Sequence, residues 1–253
     1  MRNFTFLSVL ALSAAFVDAQ GGRGGRGGPP PTAKASAPID LTGYWVSVVT
    51  EDWRYRMVTP SPGDYQSVPM NAEARRVADA WNPAKDEAAG DQCKSYGAPA
   101  ILCVPGRLHI TWQDDQTLRM DVDAGTQTRT FHFGDWKSPE GAPTWQGDSV
   151  ARWEARAGRG GGGAGAAQSG SLKVTTTHLR AGYLRKNGVP YSEIATLTEY
   201  FDYAREHNGD QWLVATILVE DPKYLTQTFI ISSQYKKQAG GAGWDPTPCS
   251  SRW

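Results

Sequence analysis

The chain has 253 residues, 40% apolar and 21% charged, with 26 basic side chains against 26 acidic ones. This composition excludes a disordered, collagen-like or supercharged chain. Its charge balance argues against a nucleic-acid partner, which needs a basic face to neutralise phosphates.

Met1-Arg2-Asn3 precede an apolar run at 4–17, with the small residues Val17 and Ala19 at the −3 and −1 positions of a cleavage point. That pattern predicts a signal peptide over residues 1–19 and a mature chain starting at Gln20. The run is shorter than the roughly 20 apolar residues a membrane span requires, and Ser8 and Ser13 break it. Residues 20–38 are rich in Gly, Arg and Pro, have little to bury and read as a disordered tether. Without residues 1–38 the chain holds 22 basic and 25 acidic residues. The expectation is a secreted or periplasmic protein with no membrane span.

Residues 39–253 read as one domain built from strands. Short runs rich in β-branched and aromatic residues fall at 43–50, 53–59, 107–113, 117–122 and 127–133, then at 149–154, 171–179, 193–203, 211–220 and 225–236. Leu108, Ile110 and Trp112 alternate with polar neighbours, as do Leu118, Met120 and Val122, which is period two. Asp123-Ala124-Gly125 and Asn208-Gly209 supply turns between strands. One helix is predicted near 72–81. Asn71 caps it, Ala74, Val77, Ala78 and Trp81 share a face, and Asn82-Pro83 stops it. A tract at 158–170, with seven glycines in thirteen residues, reads as a disordered loop. Consecutive hairpins make an antiparallel meander, and closing it into a β-barrel removes its exposed edges. A β-sandwich is the alternative.

Cys93, Cys103 and Cys249 allow one disulfide in an oxidising compartment. Cys93–Cys103 would close a short loop, whereas Cys93–Cys249 would tie the tail to the middle of the chain. Cys103 lies in the apolar run 100–104, where a free thiol behaves as a small hydrophobe, so Cys93–Cys249 is favoured. No Cys-x-x-Cys spacing offers a metal site.

Gly43-Tyr44-Trp45 at the first strand resembles the Gly-x-Trp opening of lipocalin-like barrels. That resemblance implies a tryptophan closing one barrel end under a basic residue from a late strand, here Lys236 or Lys237. The segments 147–154, 171–192, 197–201 and 219–226, with 93–97 and 246–249, resemble a family of exported, β-rich proteins of soil and environmental bacteria. The resemblance implies Cys93–Cys249 pairing as well. The family has no established activity and transfers no catalytic residue.

Ten tryptophans, ten tyrosines and seven phenylalanines suit a cavity for a small, partly apolar ligand. The candidate lining is Trp45, Trp53, Arg54, Tyr55, Arg56, Trp112, Tyr183 and Glu199, with Arg185 beside them. Glu199 shares a strand face with Leu197 and Phe201 and is the candidate acid–base residue. An arginine-paired glutamate is its bland reading. His109, His132 and His178 are the metal candidates, but alternation turns His109 and His132 away from the apolar faces. His207 sits in a turn. No cofactor is expected, and no Gly-x-Ser-x-Gly elbow is present. The leading expectation is a binding protein. An enzyme using the same cavity, and a structural or partner-binding domain with a filled core, are the alternatives.

Overall fold

Alternating residues give each strand a buried and a wet face, and nine strands wrap the buried faces inward until the sheet meets itself. The computed structural model describes residues 30–155 and 170–252, and the barrel belongs to the unit Pro31–Trp253. Its strands are β1 Gly43–Val48, β2 Arg107–Trp112, β3 Thr117–Val122, β4 Gln127–Phe133, β5 Asp148–Ala155, β6 Gly170–Thr177, β9 Thr196–Arg205, β10 Gln211–Glu220 and β11 Phe229–Gln238. Around the barrel they run β1-β11-β10-β9-β6-β5-β4-β3-β2, and β2 pairs with β1 to close it. A separate hairpin joins β7 Gly182–Arg185 to β8 Val189–Tyr191. Between β1 and β2 lie four short helices: α1 Trp53–Arg56, α2 Ala72–Asp79, α3 Pro83–Ala88 and α4 Ala98–Ile101. A single 3₁₀ turn, Lys94–Tyr96, precedes α4.

The meander is antiparallel except at β4–β5, where Phe131 pairs with Ser149 and Phe133 with Ala151 in parallel. The long connection 134–147 makes this possible, because a parallel neighbour cannot be reached by a tight hairpin. Leu108, Ile110, Leu118, Met120, Phe131, Leu172, Val174, Leu197, Phe201 and Leu213 are all buried inside the barrel. Each such side chain contributes about 1.5–3 kcal/mol of apolar burial.

Three expectations need correction. Residues 53–59 do not form a strand. Asp52 takes a left-handed φ of 50°, which turns the chain into α1 and buries Arg56 at 4% exposure. The predicted tether is packed over residues 31–38: Ala33 N donates to Gln116 Oε1 (3.2 Å), and Trp153 Nε1 donates to the Ala33 carbonyl (2.8 Å). Ile39 and Leu41 then continue into the core. The predicted helix 72–81 ends at Asp79, and Asn82-Pro83 starts a second helix as well as stopping the first. Asn82 Oδ1 accepts from Ala84 N (3.0 Å), and Pro83 takes the first helical position, where its missing N–H costs nothing. The predicted signal peptide, residues 20–29 of the tether and residues 158–169 of the glycine-rich loop lie outside the described residues.

Cys93 and Cys249 form a disulfide, leaving Cys103 as the free thiol. Among the described residues no helix is long and apolar enough to cross a membrane. The bond spans 156 positions of sequence, a long loop whose closure removes much freedom from the unfolded chain. Cys93→Ser with Cys249→Ser should therefore cost about 2–5 kcal/mol in urea unfolding. A loss below about 1 kcal/mol would show that the cross-link does not restrain the unfolded state.

Candidate functional site

The segment between β1 and β2 cannot stay in the sheet, and it folds over one barrel end together with the β7–β8 hairpin. Asn187-Gly188 makes the hairpin turn, with Gly188 at φ 83° where any side chain would collide with Trp81. Asn187 Nδ2 donates to the carbonyls of Ser61 (3.2 Å) and Asp64 (3.0 Å), fastening the hairpin to the loop after α1. Tyr235 Oη, from inside the barrel, donates to the Leu102 carbonyl (2.8 Å) and fixes α4 above it.

These contacts leave a pocket between cap and barrel with a volume of about 30 Å³. Ala100, Val104, Leu184, Phe229 and Ile231 form its apolar wall, and Asp52, Tyr55, Arg56, Ser95, Cys103, Arg185 and Lys186 complete it. Arg56, Arg185 and Lys186 are all at least nine-tenths buried. Arg56 Nε donates to the Cys103 carbonyl (3.0 Å), and Arg185 Nη1 donates to the Gln66 carbonyl (2.6 Å). The Arg185 guanidinium also lies 3.9 Å from the centre of the Tyr55 ring. In both arginines Nη2 is buried with no hydrogen-bond partner among the described residues. Lys186 Nζ donates to Tyr96 Oη (2.9 Å). Burial pushes the Lys186 ammonium down to about 7 and the Cys103 thiol up.

Of the residues singled out in the sequence, the structure brings Tyr55, Arg56 and Arg185 to this pocket. Trp53 is 64% exposed, and Arg54 is paired with Asp64 on the surface. Tyr183 is turned to Asp86, with its Oη 3.0 Å from Oδ2, and burial raises its pKa to about 12. Trp45 and Trp112 belong to the other end of the barrel. Trp45 is fully buried, donates to the Leu41 carbonyl (2.9 Å) and has Lys237 Nζ 5.1 Å from its ring. Trp112 packs with Phe133 and Trp153. Cys103, Leu184 and Lys186 were not anticipated at the site. The Asn187-Gly188 turn was their signal, since it marks a hairpin whose first strand and turn supply two of them.

Glu199 points into the barrel, fully buried, but it is not an isolated acid and does not reach the pocket. Arg129 grips both its oxygens, Nη1 to Oε1 at 2.7 Å and Nη2 to Oε2 at 2.6 Å. Thr176 Oγ1 accepts from the same Nη2 (3.3 Å) and lies 2.7 Å from Ser149 Oγ. The histidines do not converge. His109 stacks on Tyr44 at 4.0 Å and His132 on Trp136 at 4.1 Å, while His178 Nδ1 lies 2.7 Å from Asp148 Oδ2. Among the described residues no three His, Cys, Asp or Glu side chains gather as a metal site.

No protein-family model matches the chain, and neither a curated protein nor a solved structure shows significant similarity to it.

Removing one member of a buried ion pair strands the other. Glu199→Gln should destabilise the fold by about 3–5 kcal/mol, and Arg129→Met with Glu199→Leu should recover most of that loss. A single-variant cost under about 1 kcal/mol in urea unfolding would contradict this. Lys186 yields a pH prediction. Between its folded value of about 7 and the unfolded value of roughly 10.4, the unfolded chain holds the extra proton, so stability rises with pH. From about pH 7 to 9 the wild type should gain stability relative to Lys186→Met. Parallel stability–pH curves for the two proteins would refute it.

Proposed function

We propose that this is an exported binding protein holding a small, partly apolar ligand beneath the cap of its barrel. The observation that carries the reading is the composition of the pocket's lining, apolar side chains beside a few fixed polar groups, as in small-molecule sites. The sequence pointed to the barrel interior for this ligand. That space is occupied by Trp45, Phe131, Phe201, Tyr235 and the Arg129–Glu199 pair, so the reading moves to the barrel's capped end. The disulfide supports an oxidising compartment, in keeping with the apolar leader at 4–17.

Two features favour binding over scaffolding. The pocket is assembled from α1, the 3₁₀ turn, α4, β7 and β11, and hydrogen bonds tie α1 to the chain after α4 and α4 to β11. Buried cationic side chains are costly, and a domain whose role was only to be stable would gain by replacing them with apolar residues.

Native mass spectrometry of protein purified from its own host tests the reading. The expected result is a small-molecule adduct that is lost on denaturation and absent from Ile231→Trp, which fills the pocket. Protein without added mass, combined with no melting-temperature shift across a panel of small organic acids, amides and alcohols, would overturn it.

A further inference from the structure

We propose that the outer wall of the barrel binds a neutral sugar, in the groove between strands β2 to β4 and the C-terminal tail. The groove shares no residue with the pocket beneath the cap, so the inference does not depend on the reading above.

Sheet register builds the floor. Tyr44 on β1 pairs with His109 on β2, His109 with Asp121 on β3, and Asp121 with Thr128 on β4. Their strand neighbours Trp45, Leu108, Ile110 and Met120 are buried inside the barrel, so this row points outward. It runs from two stacked rings, Tyr44 and His109 at 4.0 Å, to a carboxylate and a hydroxyl.

The tail supplies the wall. Trp244 stands steeply to both rings, its centre 5.9 Å from Tyr44 and 6.2 Å from His109. The chain beyond it is fastened to the barrel. Thr247 N donates to the Asp123 carbonyl (3.0 Å), Thr126 Oγ1 donates to the Thr247 carbonyl (2.9 Å), and Cys249 is cross-linked to Cys93. Floor and wall enclose about 320 Å³ of open groove, room for one small ligand.

Charge balance selects a neutral ligand. Among the described residues, Arg119 and Asp121 are the only Lys, Arg, Asp or Glu side chains in the lining. They are bonded to each other, Arg119 Nη2 donating to Asp121 Oδ1 (2.8 Å) and Nε to Oδ2 (2.9 Å). The pair cancels and offers no net charge to an ion.

Hydrogen-bonding capacity then points to hydroxyls. Asp121 Oδ1 also accepts from Thr128 Oγ1 (2.6 Å), whereas Oδ2 takes a single bond, and Arg119 Nη1 bonds to no described residue. A spare acceptor thus lies beside a spare donor, on groups that hold each other in place. Adjacent hydroxyls, each able to donate and accept, match both. A sugar ring joins such hydroxyls to an apolar C–H face, which the indole of Trp244 can cover. A wholly apolar ligand would instead strip water from Arg119 and Asp121 without replacing it, which is costly.

The test titrates the intact disulfide-bonded protein with the methyl glycosides of glucose, galactose and mannose. Binding is read from the Trp244 indole N–H and Thr128 methyl resonances. At least one glycoside should shift both saturably, with a dissociation constant on the order of 1 mM. The matching uronic acid and 2-amino sugar should bind more weakly than that glycoside. Asp121→Asn should weaken it about tenfold, the loss expected when a charge-assisted hydrogen bond becomes a neutral one. Trp244→Leu should weaken it about fivefold. The comparison of neutral and charged sugars uses the wild type alone, so it decides the matter even if a variant loosens the tail. No saturable shift from any of the glycosides would overturn the proposal, as would tighter binding of either charged sugar. Neither result bears on the pocket beneath the cap.

Discussion

Closure of the sheet is the constraint on which the rest of the molecule depends. Once β1 pairs with both β2 and β11, no strand edge of the barrel is left, and its interior is sealed from water along its length. Everything between β1 and β2 must then find a place outside the wall. The helices of that segment, with the β7–β8 hairpin, meet over one end and create the pocket. At the other end residues 31–41 pack near Trp153 and Trp45, so both openings are covered by chain that the sheet has no room for.

The two buried concentrations of charge are held by different partners. Inside the barrel Arg129 and Glu199 cancel at two hydrogen bonds, with Thr176 and Ser149 extending the network. Such a pair is a weak stabiliser, because desolvation offsets most of its attraction, but breaking it is expensive. Under the cap Arg56 and Arg185 are held instead by backbone carbonyls and the Tyr55 ring, and their Nη2 atoms have no hydrogen-bond partner among the described residues. Mutual neutralisation accounts for the first arrangement, and backbone carbonyls as acceptors for the second.

The barrel was legible because period two leaves a mark in a single sequence. Leu108-His109-Ile110 and Phe131-His132-Phe133 reveal their inner and outer faces through alternation alone, and Cys103 within its apolar run pointed to the correct disulfide. The cap was not legible in this way. Trp53-Arg54-Tyr55-Arg56 has the composition of a strand, yet the left-handed Asp52 and the burial of Arg56 override that local preference. The pocket was half visible: Tyr55, Arg56 and Arg185 stood out as aromatic and basic neighbours. What could not be read was that residues over a hundred positions apart meet, since that depends on the register of closure. Glu199 shows the same limit, because its face was evident and its partner Arg129, on a strand that β5 and β6 separate from its own, was not.

The cross-link between Cys93 and Cys249 also sets an order of events in time. Cys93 precedes β2, while Cys249 follows β11. A chain that emerges from its N-terminus presents all the barrel strands before the second sulfur arrives. The bond can therefore form only when every barrel strand is already present in the same chain. It joins the segment just before the second barrel strand to the chain that follows the last, so in the oxidised protein the cap and the tail are held together across the length of the barrel sequence.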